Sequence, residues 1–250
     1  MMKPIHILLL RRLVISKRFY LFLLVLGGLA SRTAIQTMHV ANSSTNFGSA
    51  LLDIYYGIIR HNLIPVLIIP LFLLLGGLIS DVFDSYKVLL KYRSAKQWWR
   101  EKIWGMSLFA VMYMLVINLW ILGAIIVSGH VRDINLYFLG FLLLGMVMQL
   151  VGFLVIGVFH QLTVLISGHQ YVGLFITVLL LLLVDIFKFI SRSKFTTLQE
   201  YMSLAYKWNR GENTFVTADF LPILCLVSVF IVLYFVGSTL SQDKDFYWSE

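Results

Sequence analysis

The sequence predicts an all-α integral membrane protein with six transmembrane helices, and three observations carry that prediction. Hydrophobic residues make up 60% of the 250, charged residues only 13%, and the mean hydropathy is +0.87. A soluble domain is about 45–50% apolar and about 25% charged. The apolar residues are bunched into six runs, each near the ~20 residues that a bilayer core requires. Most of the charges fall between those runs. This composition excludes a soluble enzyme, a disordered chain and a small disulfide scaffold. The single cysteine, Cys225, excludes an internal disulfide and a cysteine-built zinc site. A net charge of +8 would suggest nucleic acid in a soluble protein. Here it is expected beside anionic headgroups instead, with no nucleic-acid partner.

The chain begins with a basic segment, residues 3–18. Ile5, Leu8, Leu9 and Leu13 recur at helical spacing, and His6, Arg11, Arg12, Lys17 and Arg18 supply polar and basic positions. This reads as an interfacial helix lying on the headgroups and orienting the first span. That span is Phe19–Met38, with Ser31 and Arg32 interrupting its outer half. A cleaved signal peptide is the other reading of this run, since Gly28-Leu29-Ala30 offers a small-residue cleavage site. The 16 residues before the run are long for that, and five more spans come after it, so an uncleaved helix is favoured.

The remaining spans are Leu63–Ile79, Ile103–Val127, Leu136–Phe159, Tyr171–Ile190 and Phe220–Val236. Pro65 and Pro70 both fall in the second, where proline frees a backbone carbonyl and bends the helix. Paired glycines in spans one and two permit close helix approach. Asn118 and Gln149 are polar side chains in the middle of spans three and four. Such residues line a path or hydrogen-bond across a helix interface, the second being commoner. Asp185 is the only carboxylate inside a span, and Lys188 three residues on is placed to pair with it.

Lys and Arg set the orientation. With the N-terminus inside, twelve fall on inner segments and eight on outer segments and helix ends. The two densest clusters, residues 3–18 and 87–102, are both inside. Both termini are therefore expected in the cytoplasm.

The longest inner loop, residues 80–102, is where a soluble partner has most to hold. Ser80 or Asp81 is placed to cap a helix start. Val82, Phe83, Tyr86, Leu89 and Leu90 then share a face. Ser94, with Gln97 three residues on, offers a second start. Two short helices broken near Arg93 are expected, with Trp98, Trp99 and Trp104 at headgroup level. The outer stretch 40–62 is polar at its start. In the outer stretch 191–219, Phe195, Leu198, Met202 and Ala205 sit at helical spacing. An amphipathic or re-entrant helix ending near Gly211 is expected there.

Catalytic motifs do not emerge. The sequence contains no G-x-x-x-x-G-K-[ST], no G-x-G-x-x-G after a strand, no H-E-x-x-H and no C-x-x-C. Ser128-Gly129-His130 and Ser167-Gly168-His169 repeat a tripeptide, but Ser and His two apart are poorly placed as a nucleophile–base pair. They read as loop punctuation. No catalytic, cofactor-binding or metal-ligating residue is expected. With one carboxylate inside the spans, a proton relay is not expected either, so any transport would draw its energy from another subunit.

Taken together, the chain resembles a permease subunit of the ABC-2 type ABC transporters, of the bacterial peptide, bacteriocin or drug exporter kind. The resemblance covers nearly the whole length. Its most specific stretch is Tyr86-Lys87-Val88-Leu89-Leu90-Lys91-Tyr92-Arg93 and the aromatic-basic run through Trp98-Trp99-Arg100 into span three. In that family this loop holds the coupling helix that seats on a separate ATP-binding subunit. The resemblance implies ATPase docking through Asp81, Phe83, Tyr86, Leu89, Leu90 and Arg93. It implies ATP and magnesium bound in the partner chain, a second permease chain, and a place in the bacterial cell membrane. It also implies short re-entrant helices where Thr196–Trp208 lies. The N-terminal segment lacks the acidic residue often found in peptide-exporting members. Two other classes compete. A non-transporting accessory or immunity protein would tolerate mutation of the 80–102 loop. An intramembrane enzyme would need Asp, His, Ser or Glu converging at one depth.

Overall fold

The structure is a computed structural model and describes residues 11, 15–41, 47–60, 62–85, 88, 92–192, 195–208 and 220–242. Their helices run in the order α1 (Lys17–Ala41), α2 (Phe47–Ile58), α3 (Ile64–Phe83), α4 (Ala95–Val127), α5 (Leu136–Ser167), α6 (Gln170–Ser191), α7 (Leu198–Ser203), α8 (Ala205–Trp208) and α9 (Phe220–Leu240). No strand occurs among the described residues. Six helices, α1, α3, α4, α5, α6 and α9, are long and apolar enough to cross a membrane. The class is therefore an all-α, multi-pass membrane architecture. Of the segment 3–18, expected as an interfacial helix, only residues 11 and 15–18 are described.

α4 and α5 are the pillars, with 33 and 32 residues. At about 1.5 Å per residue each reaches nearly 50 Å, well beyond a ~30 Å hydrocarbon core. α5 packs against α4, α6, α7 and α9 and carries the most buried surface. An aromatic stack of Phe72, Phe109, Tyr113 and Phe153 joins α3, α4 and α5, with Phe22 of α1 stacked on Tyr113. α6 and α9 bury almost none of their apolar surface within the chain. A helix that is apolar all round needs a solvent as apolar as itself.

Three local features differ from the sequence reading. Ser80 and Asp81 do not start a helix; they lie in the last turn of α3, which Asp84 caps. The second inner helix is no short piece. Ser94 does cap it, its hydroxyl accepting the Gln97 N–H at 3.2 Å, but it continues unbroken through span three to Val127. The outer helix is two helices, α7 and α8, divided at Leu204, and Phe195 precedes both. Leu204 has φ 56°, which bends the chain and stops helix propagation. Pro65 leaves its mark as a π-helical turn, Ile64–Ile68, in which the Ile69 N–H reaches back five residues to the Ile64 carbonyl. Both Ser-Gly-His tripeptides are loop punctuation, since Gly129 (φ 80°) and Gly168 (φ 73°) end α4 and α5 in the left-handed region.

Candidate functional site

Candidate side chains gather at three depths. The first is the junction of α3 with α4, here the loop face. The Trp98 indole N–H donates to the Phe83 carbonyl at 3.0 Å. Lys102 donates to both carboxylate oxygens of Asp84, at 2.9 and 2.8 Å, and its ammonium lies 4.8 Å from the Trp98 ring centroid. The Lys102 side chain is 1% exposed and that of Asp84 36%. Phe83 and Tyr92 stack across the mouth of the loop at 6.5 Å. Burial, and then the Glu101 carboxylate, push the Tyr92 hydroxyl up to about 12, so it stays neutral. Neighbouring helices join the same frame. Gln170 of α6 donates to Asp81 at 2.6 Å, Ser80 to Gln161 of α5 at 2.8 Å, and the Trp99 indole to the Tyr234 carbonyl of α9 at 3.0 Å.

The residues expected to seat a partner therefore divide. Asp81 and Arg93 are exposed at the two roots of the loop. Phe83 is fully buried within its own chain. Tyr86, Leu89 and Leu90 lie outside the described residues. Trp98 and Trp99 are interior as well; only Trp104 of the three tryptophans is exposed as a headgroup marker would be. Their indole N–H groups explain this, because each finds a backbone carbonyl inside the protein and needs no water.

The second depth is the middle of the pillars. Asn118 donates to Gln149 at 2.8 Å and to the Met114 carbonyl at 2.9 Å, so the two polar residues singled out from the sequence meet across α4 and α5. Gln149 in turn donates to the Tyr55 hydroxyl at 3.3 Å. Tyr55 comes from α2, which the sequence reading did not find. Its apolar positions Leu51, Leu52, Tyr55 and Ile58 carry the helical period that would have shown it.

One face of α5 receives two elements from the side opposite the loop, the far face. The Tyr55 hydroxyl passes over Gly145, where any Cβ would overlap it. Met202 of α7 lies over Gly152, where a Cβ would stand 2.5 Å from its Cγ. Gly145 and Gly152 are seven residues apart and so share a face. Tyr56 ties the two elements together by donating to the Leu204 carbonyl at 3.0 Å.

The third depth is the far face itself, where two cavities lined by described residues meet at Asn62. One, of about 840 Å³, is lined by Asp185, Lys188, Arg192, Thr197 and Glu200 among others. Lys188 pairs with Glu200 rather than with Asp185. Glu200 also accepts the Thr197 N–H at 3.0 Å while the Thr197 hydroxyl accepts the Glu200 N–H at 3.4 Å, a capping box that fixes the start of α7. The other cavity, of about 510 Å³, lies between α1 and α2.

Among the described residues no three His, Cys, Asp or Glu side chains are grouped to hold a metal ion. The chain matches no protein-family model, no curated protein and no solved structure. The fold and the site thus define a class: a multi-pass helical membrane protein with a tied loop-face junction and two far-face segments packed against the middle of its central helix.

Proposed function

We propose that this protein is a permease subunit of an ATP-binding-cassette exporter. It would sit in the bacterial cytoplasmic membrane with both termini inside, and a separate ATPase would power it. The observation that carries this reading is the junction built on Asp84, Trp98 and Lys102. The loop between α3 and α4 leaves a frame whose two roots are tied to each other and to α5, α6 and α9. A push on that loop is delivered to five helices instead of being lost in a slack connection. Asp81 and Arg93, exposed at the roots, and Tyr86, Leu89 and Leu90 between them are the proposed contacts with the ATPase.

At the other end, α7 with α8 forms the re-entrant segment, and α2 is a second one that dips beside it. The Tyr55–Gln149–Asn118 chain lies where both stop. A path closed there is lined by apolar and mildly polar groups, which suits an amphipathic cargo such as a peptide, drug or lipid-like molecule. Two such chains, identical or sister, would complete the transporter.

The test is reconstitution with an ATPase encoded beside this chain. Leu89→Ala, Leu90→Ala and Arg93→Glu should lower transport-coupled ATP hydrolysis severalfold while leaving membrane insertion and thermal stability intact. If these variants bind and stimulate the ATPase as the parent does, the docking assignment fails. A non-transporting accessory role would then be favoured.

A further inference from the structure

The smaller far-face cavity carries an excess of positive charge. Arg32 lines it from α1, sixteen residues into a span of twenty, and Arg60 lines it from just beyond α2. Both side chains are exposed, and a guanidinium does not give up its proton in a protein. Neither arginine forms an ion pair with a described residue. Among the described lining residues Asp53 is the one carboxylate, so two guanidinium groups face a single acid there.

Two planar guanidinium forks lining one cavity are suited to phosphate oxygens, each fork offering paired donors. Leu29 and Leu63 supply apolar wall, and Leu24 and Ile35 are exposed on α1 to either side.

We propose that this cavity binds the phosphate headgroup of an anionic amphiphile through Arg32 and Arg60, with the acyl chains lying along the apolar side of α1. The binding does not require the transport reading. It is read on the isolated full chain without an ATPase, so the two fail separately.

The test is native mass spectrometry of the full chain in a mild non-ionic detergent, titrated with dioleoyl phosphatidic acid. Dioleoylglycerol, which has the same chains and no phosphate, and inorganic phosphate form the other arms. Phosphatidic acid should bind at one preferred site and dioleoylglycerol should not. Arg32→Gln and Arg60→Gln should each weaken phosphatidic acid about tenfold or more, as expected for losing hydrogen bonds to a charged group. Arg32→Lys should keep part of the affinity. Arg132→Gln, an exposed arginine in the turn His130–Asp133, should leave it unchanged.

Phosphatidic acid binding that survives both glutamine substitutions overturns the site. Equal binding of dioleoylglycerol overturns the role of phosphate. Complete displacement by equimolar inorganic phosphate overturns the amphiphile and leaves a free-anion site. Gel filtration of each variant separates loss of binding from loss of fold; should Arg32→Gln not fold, Arg60→Gln decides.

Discussion

Two residues outside glycine adopt positive φ, Arg192 at 50° and Leu204 at 56° among the described residues, and they make opposite predictions. The left-handed region costs an L-residue roughly 1–2 kcal/mol. Arg192 caps the end of α6 and is exposed. Arg192→Gly removes the strain, loses no buried surface, and gives back part of the gain through unfolded-chain entropy. A net stabilisation of about 0.5–1 kcal/mol is expected, read as a small rise in the thermal midpoint in detergent. Leu204 is fully buried. Leu204→Gly relieves the same strain but gives up a side chain worth about 1.5–3 kcal/mol of burial and leaves a cavity, so it should destabilise. If both substitutions move the midpoint in the same direction, strain is not what distinguishes the two sites. Neither conformation is visible in the sequence, because both are imposed by the packing around the turn.

Between elements, the α3–α4 junction and the α5–α7 contact are the places to press. Lys102→Met strands the Asp84 carboxylate. Breaking a buried pair costs about 3–5 kcal/mol, but Asp84 is 36% exposed, so about 2 kcal/mol is the better expectation. Asp84→Asn in the same chain should restore much of that, since no charge is then left without a partner. A double mutant no more stable than Lys102→Met would mean that packing against Trp98 outweighs the ion pair. On α5, Gly152→Leu cannot keep Met202 where it is. Overpacking should cost about 1–3 kcal/mol, read as a fall in the thermal midpoint in detergent. An unchanged midpoint would show that α7 yields to the larger side chain without cost to the fold.

At the scale of the whole molecule the six spans fix which groups share a side. With Cys225→Ser as the thiol-free background, Lys96→Cys at the start of α4 and Arg132→Cys beyond its end should be labelled from opposite sides of a sealed vesicle. Labelling of Lys96→Cys from the cytoplasmic side supports the inward N-terminus. Labelling of both from one side would contradict α4 as a span. In the parent chain Cys225 is exposed on α9, a helix apolar on all sides. It should react with a membrane-permeant maleimide and resist a charged thiosulfonate.

The six spans were legible because length and apolarity are local properties, and each run could be counted without knowing its neighbours. The Ser94 start and the glycine stops at 129 and 168 were legible for the same reason: a cap is settled within four residues. Asn118 and Gln149 could be marked as polar residues at mid-span, but only the packing of α4 on α5 decided that they meet each other, and only α2 brought Tyr55 to them. Phe83 read as part of an apolar loop face and Trp98 as a headgroup marker; the return of α4 along α3 buried both. Lys188 took Glu200 over its sequence neighbour Asp185 because the turn into α7 delivered a carboxylate already oriented by its own cap. Residue order was enough to place this protein in a bilayer and to locate its spans. Which polar groups answer one another came from the packed helices, since a hydrogen bond or an ion pair depends on distance in space, which helical periodicity does not encode.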